Sequence, residues 1–207
     1  MSWLQEQIAL MGDFFRGGFR RTAVLCALGM LVAVLLGAGL GILFPEVSAE
    51  MINAFMEVVE ESGAVNEQGE MSVFALLMNN WRAMLVSAAY GFIPFLFLPL
   101  LSLLYNGLLL GVLAVLLQSG GISILAYLMG ILPHGIFELP ALVLSVACGV
   151  ALCRNMCRMV VSSPNRVPLL GLLEDLLRVL VLVVAPLTVA AAFVECYITP
   201  YVMNLFI

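Results

Sequence analysis

The residues of this chain that can do chemistry are few and concentrated. Its single histidine, His134, stands in the stretch Leu132-Pro133-His134-Gly135-Ile136-Phe137-Glu138-Leu139-Pro140. Glu138 is the one acid between Glu70 and Glu174, and from Ala83 to Phe137 the chain carries no formal charge. On a helix His134 and Glu138 are four residues apart and share a face. A carboxylate at the centre of a membrane costs about 2.5–3.5 kcal/mol on insertion scales, so it needs a partner or a task. Three roles are open to the pair: a polar lock inside a bundle, a proton, ion or substrate site, or a catalytic or metal centre. Little else in the sequence supports the third. The H-E-x-x-H zinc motif needs two histidines one turn apart. No G-x-S-x-G or Ser/His/Asp set is visible, and nothing marks Ser145, in the same stretch, as a nucleophile. The chain is read as a non-enzyme with no catalytic residue, no metal site and no cofactor.

Other polar groups complete a candidate intramembrane site: Arg82, Asn79, Asn106 and Glu195 beside His134 and Glu138. In Asn79-Asn80-Trp81-Arg82, Trp81 suits a membrane interface, and Arg82 either snorkels to headgroups or turns inward to pair with Glu138 or Glu195. Asn106-Gly107 reads as a tight turn between two spans, with an Asn presented into the bundle as the alternative. Glu195, ahead of Thr199-Pro200, is either an interfacial acid or a second inward carboxylate. Glu174 and Arg178 form an i,i+4 pair with the acid N-terminal, the favoured order. Cys153 and Cys157 are also one turn apart, but a soft-metal site there would lack a nearby histidine. The odd count and apolar placement of Cys26, Cys148, Cys153, Cys157 and Cys196 argue against a disulfide framework.

The elements that must position these groups are membrane helices. The 207 residues are 64% hydrophobic and 10% charged, against about 25% charged in soluble domains. Mean hydropathy is +1.16. Apolar runs exceed the ~20 residues that cross a bilayer core. They are too rich in Gly and Pro, and too little alternating, for a β-barrel. The fold expected is all-α: one polytopic membrane domain, 1–207, of about five transmembrane helices. Spans are expected near 22–44, 83–104, 107–132, 135–153 and 176–196. Ser119-Gly120-Gly121 interrupts the middle one, which predicts a broken or re-entrant helix near residues 118–138. Pro94 and Pro99 predict a kinked second span.

Residues 1–21 read as a cytoplasmic interfacial helix with an apolar stripe of Leu4, Ile8, Met11, Phe15 and Phe19, broken at Gly17-Gly18. Full span length and the acids nearby argue against a cleaved signal peptide. Gly29, Ala33, Gly37 and Gly41 recur every four residues in the first span, a stripe for helix packing within the bundle or for a homodimer seam. Residues 45–80 form an acidic extracytoplasmic segment with Glu46, Glu50, Glu57, Glu60, Glu61, Glu67 and Glu70. Val47, Met51, Phe55 and Val58 give it an amphipathic helix, followed by a turn at Ser62-Gly63 and a short helix over 71–80. All eight cations are arginine. Arg16, Arg20 and Arg21 before the first span, and Arg154, Arg158 and Arg166 before the last, place the N-terminus in the cytoplasm and the C-terminus outside. No basic cluster with interleaved aromatics points to nucleic acid.

In this order, these pieces resemble the stage II sporulation protein M family. The most specific part is Ile131-Leu132-Pro133-His134-Gly135-Ile136-Phe137-Glu138-Leu139-Pro140-Ala141. Asn79-Asn80-Trp81-Arg82, Asn106-Gly107 and Ala191-Ala192-Phe193-Val194-Glu195 leading into Ile198-Thr199-Pro200 support it. The first span and the acidic segment match in placement rather than in sequence. The resemblance implies a multi-spanning, all-helical protein of the cell membrane. In endospore formers it implies a role in engulfment, anchoring peptidoglycan-degrading partners at the septal membrane. The expectation is therefore an integral membrane scaffold that recruits or positions cell-wall-remodelling partners. Peptidoglycan hydrolases or septal proteins, the bilayer and a second copy of the chain are its expected partners. A small-solute or ion transporter or channel with an intramembrane His/Glu site is the competing expectation.

Overall fold

The computed structural model describes residues 2–61 and 72–205, the side chains of residues 59 and 60 excepted. Every regular element among the described residues is helical, as composition requires. Ser2 caps α1 (Trp3–Phe14): its hydroxyl accepts from the Gln5 amide, and the Gln5 side chain accepts from the Ser2 amide, a reciprocal capping box. A π-helical turn at Phe15–Phe19 follows. There Gly18, at φ 118°, breaks the helix as the Gly17-Gly18 pair predicts. Of the N-terminal apolar stripe, Phe19 is buried and Met11 and Phe15 half-buried, while Leu4 and Ile8 stay exposed.

Among the described residues the most extensive helix–helix contact is between α2 (Arg20–Leu43) and α5 (Pro99–Ser119). The two run parallel. Gly29 meets Leu103, Ala33 meets Gly107, Gly37 meets Leu108 and Gly41 meets Val115. A Cβ on Gly37 would run into the Leu108 carbonyl, and one on Gly111 into the Val34 carbonyl. Backbones this close require glycine on both helices. The Gly29–Ala33–Gly37–Gly41 stripe is thus covered inside one chain, and its use as a homodimer seam is corrected. The opposite face of α2, with Leu25, Leu28, Val32, Leu35 and Leu36 exposed, suits lipid.

Residues Pro45–Glu61 form α3, the amphipathic helix expected. Its inner face is shifted from the predicted stripe. Ser48 is buried and Met51, Ile52 and Phe55 are half-buried, whereas Val47 and Val58 are exposed. The turn at Ser62-Gly63 and acids Glu67 and Glu70 lie outside the described residues.

Between α3 and the last span the described chain forms three helices where three crossings were expected, but only two of them are long enough to span, and the cuts fall elsewhere. The short helix over 71–80 and the span at 83–104 are replaced by α4 (Val73–Ala89), a reversal at residues 90–98, and α5. Pro94 and Pro99 sit at a complete reversal rather than a kink. Phe95 and Phe97 adopt φ of 69° and 46° there, conformations that large side chains rarely take. Cysteines of α6 (Ile124–Val160) hold this loop: the Cys153 thiol donates to the Ile93 carbonyl at 3.3 Å, and the Phe95 amide donates to Cys157 Sγ at 3.0 Å. Asn106-Gly107 is no turn; both lie mid-α5, where Gly107 packs on Ala33. The second reversal is at Gly120-Gly121, Gly121 taking φ 90°. Pro133 and Pro140 lie inside α6, which runs unbroken for 37 residues. The missing N–H groups leave the Met129 and Ile136 carbonyls without their helical donors.

The last pass is α7 (Leu169–Val179), a π-helical segment at Leu180–Val184 and α8 (Ala185–Tyr197), with a terminal α9 (Thr199–Met203) packed on α6 at Gly130. Arg178 joins this pass to the N-terminal helix. Its guanidinium donates to Gln7 Oε1 at 2.7 Å, and it pairs with Asp175 at 2.6 Å and Glu174 at 3.5 Å. Among the described residues, four helical stretches are long and apolar enough to cross a membrane: Trp3–Leu43, Pro99–Ser119, Ile124–Val160 and Leu169–Tyr197. The 17-residue α4 lies beside α6 and runs the same way.

Candidate functional site

The site forms where α4, α6 and α8 meet, and two hydrogen bonds fix their register. The Ser145 hydroxyl of α6 donates to the Met84 carbonyl of α4. The Trp81 indole N–H of α4 donates to Thr188 Oγ1 of α8 at 2.6 Å, and the Thr188 hydroxyl in turn donates to the Ala185 carbonyl at 2.8 Å. Glu138 precedes Ser145 by seven residues, and Glu195 follows Thr188 by seven. Seven residues are almost two helical turns, so each carboxylate shares the face of its anchor. Because α6 and α8 run antiparallel, both steps lead toward the same end of the junction.

The carboxylates meet there. One ligand-capable atom each from His134, Glu138 and Glu195 lie within 4.8 Å of one another, and all three residues are half-buried. His134 Nδ1 is 3.1 Å from Oγ1 of Thr199, a buried residue at the start of α9. With the proton on Nδ1, Thr199 accepts it, and Nε2 keeps its lone pair. Asn80 stands one turn along α4 from Met84, toward this cluster. Its side-chain nitrogen is buried with no hydrogen-bond partner among the described residues.

Three of the six sequence-derived candidates therefore converge: His134, Glu138 and Glu195. Arg82 is exposed and pairs with neither carboxylate among the described residues, so its inward turn is corrected. Asn79 is also exposed. Asn106 spends its amide on the Ser102 carbonyl of its own helix at 2.8 Å. Sequence reasoning missed Thr199 and Asn80, and gave Trp81 an interfacial role when its indole is bonded into the bundle. For Ser145 the signal was present, since it lies on the helical face of Glu138. For the Trp81–Thr188 bond no signal exists in the sequence.

The family model for stage II sporulation protein M matches residues 22–200, which takes in every element of this site. The chain belongs to that family. An uncharacterized protein of Methanocaldococcus jannaschii is 31% identical over 128 residues, covering 61% of this chain and 70% of its own. No solved structure matches. Within this stage II sporulation protein M fold, the long motif of residues 131–141 supplies two of the three converging side chains, and the segment of residues 191–200 supplies Glu195 and Thr199. Two of the motifs that carried the resemblance, residues 131–141 and 191–200, are thus brought together by the bundle, whereas Asn106-Gly107 lies in the α2–α5 seam.

Proposed function

We propose that the protein is a non-enzymatic scaffold of the cell membrane that recruits or positions peptidoglycan-remodelling partners, as in septal engulfment during sporulation. Family membership supports the sporulation-related membrane role. The observation that carries the docking reading is α3. This helix displays Glu46, Glu50, Glu57 and Glu61 on its exposed surface and contains no basic residue. Such a field steers a basic ectodomain toward the membrane in a salt-dependent way.

The orientation proposed is N-terminus inside and C-terminus outside. It is supported by Phe14, Gly17, Arg154, Arg158 and Asp175 lining one cavity, which gathers the arginine-rich ends of three passes at one face. With that face cytoplasmic, α3 and α9 lie on the other side.

Affinity co-purification from the native membrane tests the scaffold. A peptidoglycan hydrolase or septal protein is expected, lost when the glutamates of α3 are changed to glutamine. Recovery of the same partners by the neutralised protein, or of the protein alone, would overturn the reading. Transport of an ion or small solute is the second reading, and the convergence of His134, Glu138 and Glu195 favours it.

A further inference from the structure

Glu138 and Glu195 face each other inside a membrane-spanning bundle, and no arginine pairs with either among the described residues. Two ionised carboxylates this close in a low-dielectric setting repel strongly unless one takes up a proton or a cation lies between them. The bundle supplies an imidazole instead of an arginine. We propose that His134, Glu138 and Glu195 form a binding site for a divalent first-row transition-metal ion of the zinc or manganese kind.

Five features point to this ligand. A divalent ion cancels the charge of two carboxylates, whereas a monovalent ion leaves a net charge buried. One nitrogen and two carboxylate ligands suit zinc, iron or manganese better than calcium or magnesium, which favour oxygen alone. Ligand atoms held ~2.1 Å from a tetrahedral ion lie about 3.4 Å apart. The present spread, within 4.8 Å, closes to that value with side-chain shifts of about an ångström. Thr199 stands where a metal-bound histidine usually has a partner, holding the ring through Nδ1 and leaving Nε2 for the ion. The Asn80 side-chain nitrogen, buried without a hydrogen-bond partner among the described residues and one turn from Met84 on the side of the cluster, is a spare donor on α4.

The inference goes beyond the scaffold reading, since it concerns residues of α6, α8 and α9 rather than α3 and holds whether the protein scaffolds or transports. Its test is metal binding by the full chain purified in detergent and stripped with chelator. Zn²⁺ and Mn²⁺ are titrated by calorimetry, and Co²⁺ serves as a visible-spectrum probe. One ion per chain is expected, with at least a tenfold preference over Mg²⁺ and Ca²⁺. Glu138→Gln and Glu195→Gln should each lower Zn²⁺ affinity a hundredfold or more. Thr199→Val, which removes no ligand, should lower it about tenfold. The double variant Cys153→Ser/Cys157→Ser should leave affinity unchanged, and bound Co²⁺ should show no thiolate charge-transfer band. Size-exclusion profiles of metal-free samples exclude misfolding, and Glu195→Asp, which keeps the charge, should retain measurable binding. No saturable divalent binding by the wild type would overturn the proposal. So would binding that survives both glutamine substitutions, or that disappears with the cysteines.

Discussion

The two halves of this bundle are held together by opposite means. Between α2 and α5 the contact is made of small residues. Gly37, Gly107 and Gly111 let backbones touch, and the seam needs no buried charge. Between α4, α6 and α8 the contact is polar. Ser145 bonds Met84, Trp81 bonds Thr188, and His134, Glu138 and Glu195 converge almost two helical turns further along. Membrane helices associate without a hydrophobic driving force, so each half uses one of the remaining devices, close packing or interhelical hydrogen bonding. The difference teaches that a packing seam can be built from small apolar residues alone. The carboxylates of the second half exceed what packing requires, and the proposed ion site rests on them.

The comparison breaks first at the seam. Gly111→Leu drives a side chain into the Val34 carbonyl and should cost about 3 kcal/mol, read as lost membrane accumulation and lowered unfolding temperature. A substitution there that folds normally would show that the seam is not needed. Next in size is Glu138→Gln, with its hundredfold loss of Zn²⁺ affinity. Metal-free, this variant should unfold at or above the wild-type temperature, because it removes a buried repulsion. A large drop in stability would instead make the carboxylate a structural lock. Thr188→Val, which removes the acceptor of the Trp81 indole, should cost about 0.6–1.7 kcal/mol in detergent unfolding. The smallest effect belongs to Arg82→Ala, expected within about 0.5 kcal/mol because the side chain is exposed and forms no ion pair among the described residues. A larger loss would restore Arg82 as a partner of the junction.

Class and site were legible in the sequence to different degrees. Apolar run length and low charge are enough for an all-α membrane protein, and Gly17-Gly18 announces its own break. Span boundaries inside the uncharged stretch were not legible. No charge punctuates it, and Gly or Pro serves equally as a turn, as at Gly121, or as a close-packing position, as at Gly107. Asn106-Gly107 is a turn by local preference, but the approach of α2 claims its glycine for packing. His134 and Glu138 were legible as a pair because one helical turn separates them. Glu195 could be named but not placed, since its approach depends on the antiparallel register of α6 and α8. Thr199 and Asn80 join for the same reason, through long-range packing that local spacing does not encode.

The most direct test of a working junction beside a purely structural seam is thermal unfolding in detergent with and without saturating Zn²⁺. Binding at 100 times the dissociation constant adds about 2.7 kcal/mol to the folded state. In a chain of this size that raises the unfolding temperature by several degrees. The account predicts that rise in wild-type protein and none in Glu138→Gln or Glu195→Gln. An equal rise in all three, or none in the wild type, would contradict it.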